Sequence, residues 1–224
     1  MKKLSLIFLA FVLPASLLTS GVLLASSAEH VEMEQAPINP KDKVSLQKGA
    51  TLFTNYCMGC HAAKYMRYER LAEDLDIPVD LVQKNFMVTT ELPGSPMTTS
   101  MSPDLAEQWF GTPPPDLTLE SRLRGPDWLY SYLIGFYEDE SRPWGVNNKV
   151  FKDVGMPNVL ASLEEELGEE AFKAAMGDLT NFMAYMADPV KVKREALGAK
   201  VLLFLLILLI PAYLLKREYW KDVH

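Results

Sequence analysis

The two cysteines of this 224-residue chain are followed at once by a histidine, in the order Cys57-Met-Gly-Cys60-His61. Cys-X-X-Cys-His is the sequence in which two thiols add to the vinyl groups of a haem and form thioethers. Two intervening residues let one helical turn present both sulfur atoms to one edge of the porphyrin, and the imidazole that follows then reaches the iron. The sequence therefore predicts one covalently bound haem c, with His61 as an iron ligand.

The cysteine pair by itself also fits two other kinds of site. A thioredoxin-like redox pair needs a strand that leads into a helix, and a zinc site needs more cysteine or histidine ligands. Residues 45–56, which precede the motif, have a helical pattern without a β-rich run. The remaining histidines, His30 and His224, lie towards the chain ends. The redox pair therefore lacks its strand, and the zinc site lacks its further ligands. Covalent haem is favoured over both.

A methionine is the expected second axial ligand of the iron. Haem iron in an electron carrier usually has two axial ligands, and a Met/His pair raises the reduction potential. Histidine is nearly excluded, because His30 and His224 are the only ones outside the motif. Methionines beside the attachment motif or inside a helical pattern fit poorly. The remaining candidates are Met87, Met97, Met101 and Met156.

Met156 is the favoured candidate of the four. Gly155 before it allows close approach of the backbone, and Pro157 after it stiffens the loop that carries the thioether. Met97 and Met101 remain the alternatives, in a loop rich in proline, threonine and serine.

The first apolar segment of the chain predicts a signal peptide over residues 1–28. The positive start Met1-Lys-Lys precedes an apolar stretch, and Ser26-Ser-Ala28 is a small-residue site of the kind that signal peptidase cleaves. An uncleaved N-terminal anchor is the alternative, because the stretch approaches the roughly 20 residues that span a bilayer. Pro14 and the serine-rich exit favour cleavage.

The second apolar segment, residues 196–215, predicts a transmembrane helix surrounded by lipid. Pro211 is compatible with such a helix, and Tyr219 and Trp220 supply aromatic side chains for the interface. Lysine and arginine are nearly equal in number on its two sides, so their distribution does not orient the helix. The signal peptide determines the orientation instead. It predicts a periplasmic domain, an inner-membrane anchor and a cytoplasmic tail, residues 216–224.

The middle of the chain, residues 29–190, is long enough for one soluble domain with a core of its own. Its last helix is predicted over residues 161–187. The formal net charge of -7 and the pI near 5.1 argue against nucleic acid as a partner, because non-specific binding to phosphates needs clustered lysine and arginine. An acidic domain suits a basic protein partner instead.

The order of the motifs resembles that of the cytochrome c1 family. A helix is followed by Cys-X-X-Cys-His, Pro-Pro-Asp-Leu at 114–117, an aromatic helix, Gly-Met-Pro at 155–157, a final helix and an anchor. The segment 121–128 is similar to a haem-contacting segment of the family. The resemblance implies an all-α, class I cytochrome c-like haem domain with loop-rich insertions and one C-terminal transmembrane helix. Residues 62–113 are short for the family, and the cysteine pair that forms a disulfide in some bacterial members is absent.

The resemblance also implies roles for individual residues. Met156 matches the axial methionine of the family. Arg122 would pair with a haem propionate, with Arg124 as the rival for this role. Pro114, Pro115 and Trp128 would wall the haem, with ordinary core packing as the alternative for Trp128.

The function implied by the resemblance is that of the electron-transfer subunit of the cytochrome bc1 complex, the ubiquinol–cytochrome c oxidoreductase. The subunit would take an electron from a Rieske iron–sulfur protein and pass it to a periplasmic c-type cytochrome, beside cytochrome b in a dimeric complex. Such transfer makes no bonds and needs no general acid, base or nucleophile. The acidic runs are candidates for steering a basic acceptor, or are solvated faces: Glu138-Asp-Glu140, and Glu164-Glu-Glu166 with Glu169-Glu170.

Two other functions remain open at the level of sequence. One is a monohaem c-type subunit of a terminal oxidase or a periplasmic dehydrogenase, in which the haem feeds a catalytic partner. The other is a haem sensor or peroxidase, whose sixth iron position would stay open to a ligand. The proteins that accompany the chain and the sixth ligand of the iron separate these hypotheses.

Overall fold

The computed structural model describes residues 32–223, so the predicted signal peptide lies outside the described residues. The described part is mostly helical, and short strands form two separate two-stranded sheets. The helices are α1 (Lys43–Leu52), α2 (Tyr68–Leu75), α3 (Val79–Asn85), α4 (Pro103–Phe110), α5 (Glu120–Arg124), α6 (Pro126–Leu133), α7 (Ala161–Leu167), α8 (Glu169–Ala187) and α9 (Lys191–Tyr219). The strands are β1 (Ala63–Arg67), β2 (Pro96–Met97), β3 (Phe136–Glu138) and β4 (Val146–Asn148).

Helix α1 carries the Cys-X-X-Cys-His motif at its C-terminal end. Its N-cap is Asp42, whose carboxylate accepts a hydrogen bond from the backbone N–H of Ser45 at 3.1 Å. The helix continues into a π-helical turn, Phe53–Cys57. Single π-turns inside helices occur frequently at functional sites. Here the turn ends on the first cysteine of the motif, so a capped helix leads directly into the attachment site.

Helices α1 and α8 cross at a glycine. A Cβ atom at Gly49 would meet the carbonyl oxygen of Asp178 and lie 2.6 Å from the Cβ of Phe182. Because Gly49 has no side chain, the two backbones can approach closely. Phe53, one turn further along α1, packs its ring 5.7 Å from that of Phe182. The core around this crossing includes the buried residues Leu46, Ala50, Met176 and Leu179.

The buried side-chain amide of Asn181 on α8 forms hydrogen bonds with the chain at the start of α1. The side-chain oxygen of Asn181 accepts a hydrogen bond from the backbone N–H of Asn39 at 2.9 Å. Its side-chain nitrogen donates to the Asn39 carbonyl at 2.9 Å and to the Ser45 hydroxyl at 3.0 Å. Asn181 is fully buried, and these bonds offset the cost of removing its amide from water. The α1–α8 contact is therefore polar as well as apolar.

The two small sheets are features that the sequence did not predict. β1 pairs with β2 in antiparallel register, with Ala63 opposite Met97, and β3 pairs with β4, with Phe136 opposite Asn148. β1 begins two residues after the motif, so its pairing fixes the chain that leaves the attachment turn.

At the level of fold class the prediction is confirmed: the protein is mostly helical and has a C-terminal apolar helix.

The single helix predicted over residues 161–187 is two helices, α7 and α8. Gly168 separates them with a φ of +73°, a conformation that glycine adopts without strain. The prediction was wrong because a glycine inside a helical pattern is often tolerated, and the sequence does not show whether it will break the helix.

Helix α9 contains the predicted membrane span and extends beyond residues 196–215 at both ends. By length and composition it could cross a membrane, and among the described residues it is the one helix with this property. Its apolar side chains are exposed, so no protein surface within residues 32–223 covers them. Pro211 lies inside the helix, as the sequence predicted.

Ion pairs lie on both sides of the connection between α8 and α9, which consists of residues 188–190. Asp188, the C-cap of α8, pairs with Arg194 of α9 at 2.6 Å. Lys193, the neighbouring residue, lies 3.9 Å from Asp74 of α2. The apolar helix is therefore joined to the helical domain by a short connection, by an ion pair to that connection and by an ion pair to α2.

Replacing Gly49 by alanine should destabilise the fold. The added methyl group has no space beside Asp178 and Phe182, and overpacking of this kind costs about 1–3 kcal/mol. Thermal unfolding of the detergent-solubilised protein, followed by circular dichroism, measures the loss. Gly198→Ala in α9 is the matched control, because no atom lies within 4 Å of a Cβ there. Equal melting temperatures for the two variants would contradict the assigned contact.

Candidate haem site

The Cys-X-X-Cys-His motif forms a closed turn after α1. The backbone N–H groups of Cys60 and His61 both donate to the carbonyl oxygen of Cys57, at 3.1 and 2.8 Å. Cys57 is buried and Cys60 is half-buried, and no disulfide joins them. One turn of chain therefore presents two sulfur atoms and an imidazole, which is the donor set that a covalently attached haem requires.

Cys57 lies in a desolvated position. Burial raises the pKa of its thiol to about 12, and the neighbouring Cys60 acts in the same direction. This direction is opposite to that of an attacking redox cysteine, whose pKa lies below the ordinary value. Residues 32–223 contain no group of three or more His, Cys, Asp or Glu side chains that could hold a metal ion.

His61 has one ring nitrogen engaged and the other available to a metal. Its Nδ1 lies 2.8 Å from the carbonyl oxygen of Pro115. A carbonyl can only accept a hydrogen bond, so Nδ1 carries the proton and donates it. This tautomer leaves the Nε2 lone pair for the iron. Burial lowers the pKa of His61, and the neutral imidazole that binds metals is thereby favoured.

The Pro-Pro-Asp-Leu segment is fixed beside the motif by two further hydrogen bonds. The N–H of Leu117 donates to the carbonyl of Ala62, and the N–H of Lys64 donates to the carboxylate of Asp116, both at 2.8 Å. The side chain of Pro115, predicted to wall the haem, is exposed. The contact that the structure gives this residue is made by its backbone carbonyl, which orients the imidazole of His61.

Met156 lies in a loop where a hydrogen bond reaches its sulfur. The hydroxyl of Tyr132 on α6 donates to the Sδ atom at 3.4 Å. Arg142 stabilises the loop. It forms an ion pair with Asp153 at 3.1 Å and donates a hydrogen bond to the Asp153 carbonyl at 2.9 Å. Met156 is half-buried. Its thioether is thus held in position while part of its surface remains accessible.

The other candidate methionines differ in burial. Met97 is fully buried on β2, opposite Ala63, and belongs to the apolar core. Met87 is half-buried and packs against the core. Met101 is half-buried in the loop before α4. Met97 is therefore engaged in packing, whereas Met101 remains the competitor of Met156 for the iron.

Aromatic rings surround Tyr132. Trp128 stacks on it with ring centroids 5.2 Å apart and an interplanar angle of 14°, and Phe136 meets it edge-on at 5.3 Å. Phe151 lies 6.2 Å from Trp128. Trp128 is half-buried and packs against the core, while its contact with the haem stays a prediction. The cluster holds the hydroxyl that reaches Met156.

Arg122 and Arg124 have different surroundings. The side chain of Arg122 is 64% exposed and forms an ion pair with Asp188 at 3.6 Å. Arg124 pairs with Glu120 at 3.2 Å, and its guanidinium lies 4.5 Å from the ring centroid of Trp128. The role of Arg122 at a propionate stays a prediction, and Arg124 is the arginine that touches the aromatic cluster.

Two contacts of the site were not found from the sequence: the Tyr132 hydroxyl and the Pro115 carbonyl. The spacing of Trp128 and Tyr132, four residues apart on a helix, places both on one face. No signal in the sequence pairs that face with Met156, which is 24 positions away. The carbonyl of Pro115 carries no side-chain signal at all.

Residues 33–223 match the model of the Cytochrome C1 family. The chain belongs to the cytochrome c1 family. Members of this family carry a covalently bound haem c, so the chain binds one haem c, with which Cys57 and Cys60 are consistent. Membership and the apolar helix α9 together make it a membrane-anchored electron-transfer protein. The sequence-based predictions of family and cofactor are confirmed.

Three relatives show how far the likeness extends. The cytochrome c1 of Allochromatium vinosum is 44% identical over 100% of both chains. The ammonia monooxygenase gamma subunit of Nitrosomonas europaea is 39% identical over 89% of this chain and 92% of its own. The cytochrome b/c1 of Bradyrhizobium diazoefficiens is 27% identical over 84% of this chain and 34% of its own.

Replacing Tyr132 by phenylalanine should lower the reduction potential of the haem. The change removes the hydroxyl and keeps the ring stack, and a hydrogen-bond donor at the sulfur of Met156, the predicted iron ligand, would favour the reduced iron. A hydrogen bond of about 0.5–1 kcal/mol corresponds to roughly 20–40 mV for a one-electron couple. A redox titration measures the shift, with Tyr137→Phe on β3 as the control. Unchanged potentials in both variants would remove Tyr132 from the site.

Proposed function

We propose that this member of the cytochrome c1 family takes an electron from a Rieske iron–sulfur protein and passes it to a periplasmic c-type cytochrome, within a cytochrome bc1 complex. The observation that carries the proposal is the closed turn from Cys57 to His61, with Nδ1 held by Pro115. It lies in a chain of the cytochrome c1 family that ends in an apolar helix. Cytochrome b is the membrane partner, a pairing that the relative named cytochrome b/c1 supports. The complex is proposed to be dimeric.

When bound, haem c supplies a one-electron couple. The chain would supply attachment and orientation: Cys57 and Cys60 would hold the haem covalently, and His61 would offer Nε2 to the iron. Met156, whose sulfur accepts a hydrogen bond from the Tyr132 hydroxyl, would be the second residue to bind the iron. Two ligands from the chain would exclude an exogenous ligand, and this is what an electron carrier requires.

Arg122 of α5 is proposed to pair with a haem propionate, with Arg124 as the rival. In the structure Arg122 pairs with Asp188 at 3.6 Å, and Arg124 lies against Trp128. Pro115 and Trp128 are proposed to line the same pocket. This arrangement would put a cation and two apolar residues around a group that carries both charge and an extended apolar surface.

We propose that residues 1–28 are a cleaved signal peptide and that residues 29–190 are a periplasmic haem domain. Residues 196–215 then span the inner membrane and residues 216–224 remain in the cytoplasm. The positive start, apolar stretch and small-residue site of the first segment support export. The exposed apolar side chains of α9 support contact with lipid.

Replacing Met156 by leucine should lower the reduction potential and open the sixth position of the iron. Leucine keeps the apolar volume but has no sulfur lone pair to donate. The ferric variant should lose its methionine-to-iron absorption band, and the reduced variant should bind carbon monoxide. Met101→Leu is the matched control, and loss of the band in that variant alone would transfer the ligand role to Met101. Ready binding of carbon monoxide by the unmodified protein would support a sensor or peroxidase.

Purification of the chain with its partners tests the proposed complex. Redox difference spectra of the solubilised assembly should show b-type haems beside haem c, and electron paramagnetic resonance should show a Rieske cluster. Copper-containing oxidase subunits in their place would support a terminal oxidase, and a soluble catalytic partner would support a dehydrogenase.

The relative named as an ammonia monooxygenase subunit adds an ammonia-oxidising complex as a second candidate. Oxygenase subunits without cytochrome b in the preparation would favour it.

A further inference from the structure

An exposed apolar surface lies where α4 meets the turn between β3 and β4. Trp109 and Phe110 end α4, Trp144 lies in the turn, and the rings of Phe110 and Trp144 are 5.6 Å apart. Trp109 is 57% exposed and Trp144 is 45% exposed. The same side chains border a cavity of about 440 Å³. We call this surface the tryptophan patch and define it as Trp109, Phe110, Trp144 and Gly155; Val154, which also borders the cavity, is buried.

The tryptophan patch contributes little to the core of the described chain. On α4 the one buried residue is Ala106, so the two rings at the end of this helix lie at the surface. Clustered exposed apolar side chains are a feature of interaction sites. Tryptophan is also enriched among the few residues that dominate the energy of protein interfaces. The patch therefore has the composition of a binding surface.

Carboxylates surround the tryptophan patch. Segments 102–111 and 138–145, which carry its rings, contain five carboxylates and a single basic residue, Arg142. The arginine is already paired with Asp153 at 3.1 Å. The five carboxylates are Asp104, Glu107, Glu138, Asp139 and Glu140.

This charge selects the partner. An anionic lipid surface or a second copy of the same acidic face would be repelled, whereas a protein with a basic rim around an apolar centre would be attracted. A small interface of this kind forms and separates quickly, as transient electron-transfer pairs do. Gly155 of the patch directly precedes Met156. A partner seated on the patch would therefore lie beside the loop of the proposed iron ligand.

We propose that the tryptophan patch is the docking site of a small basic c-type cytochrome that accepts the electron, an inference that rests on the proposed function. The acidic run at residues 138–140 then belongs to the docking rim. The run at residues 164–170 lies on α7 and the start of α8, outside the segments that form the patch.

Electron transfer from the purified complex to mitochondrial cytochrome c, a basic c-type cytochrome, tests the tryptophans. Photochemical reduction of this chain's haem, followed by its reoxidation at low ionic strength, gives a second-order rate constant. Trp109→Ala combined with Trp144→Ala should lower this constant by about tenfold or more. The reduction potential and the absorption spectrum should stay unchanged. Leu92→Ala, an exposed apolar residue outside the patch, is the control.

Matched charge variants test the rim. The rim variant combines three substitutions: Glu107→Gln, Glu138→Gln and Glu140→Gln. The control variant removes the same charge from α7: Glu164→Gln, Glu165→Gln and Glu166→Gln. The rim variant should slow the transfer by several fold more than the control and should flatten its dependence on ionic strength.

Three results would overturn the docking site. The first is an equal rate constant in the tryptophan variant and its control, and the second is equal slowing by the two charge variants. The third is weaker binding of the tryptophan variant to anionic phospholipid vesicles with unchanged electron transfer, because this would assign the patch to lipid. Failure of the proposed function is distinguishable from all three. A chain that purifies without cytochrome b and a Rieske cluster refutes that function, while photochemical reduction still measures docking.

Discussion

The close crossing of α1 and α8 at Gly49 determines where both attachments of this protein lie. α1 leads into the turn that binds the haem, and α8 is followed within three residues by the membrane helix α9. Helices in contact through a glycine have little freedom to slide, since protein interiors are close-packed and the neighbouring atoms define one relative position. The ring contact between Phe53 and Phe182 and the buried amide of Asn181 reinforce that position. The cofactor and the membrane anchor are thus coupled through one interhelical contact.

Two hydrogen bonds from distant segments complete the proposed ligand set. The Pro115 carbonyl acts on His61, and the Tyr132 hydroxyl acts on Met156. Both act on the proposed ligand side chains from outside, as the groups around metal ligands commonly do, and would so set orientation and electron density at the iron. In the proposed site, the domain outside the motif therefore positions ligands that the motif and one loop provide.

Chemistry encoded in adjacent residues was predictable, and contacts between distant residues were not. The haem, its attachment residues and the apolar helix follow from contiguous sequence, and His61 needs no partner to be recognised. β2 has two residues, too few for any periodicity, so its pairing with β1 left no pattern. The break at Gly168 depends on a backbone angle, and the bond from Tyr132 to Met156 depends on how α6 packs against a loop. The tryptophan patch unites two segments more than thirty positions apart, which only the folded chain brings together.

The three-residue connection between α8 and α9 has a mechanical consequence for how electrons arrive and leave. Individual exposed ion pairs such as Asp188 with Arg194 are weak, yet the short connection leaves little slack for the domain to swing. A haem attached to this domain would then be held at a nearly constant height above the bilayer. A redox centre with a fixed height cannot itself shuttle between a donor and an acceptor. In the proposed complex, the movement between electron uptake and electron delivery would therefore be made by the partner proteins and not by this chain.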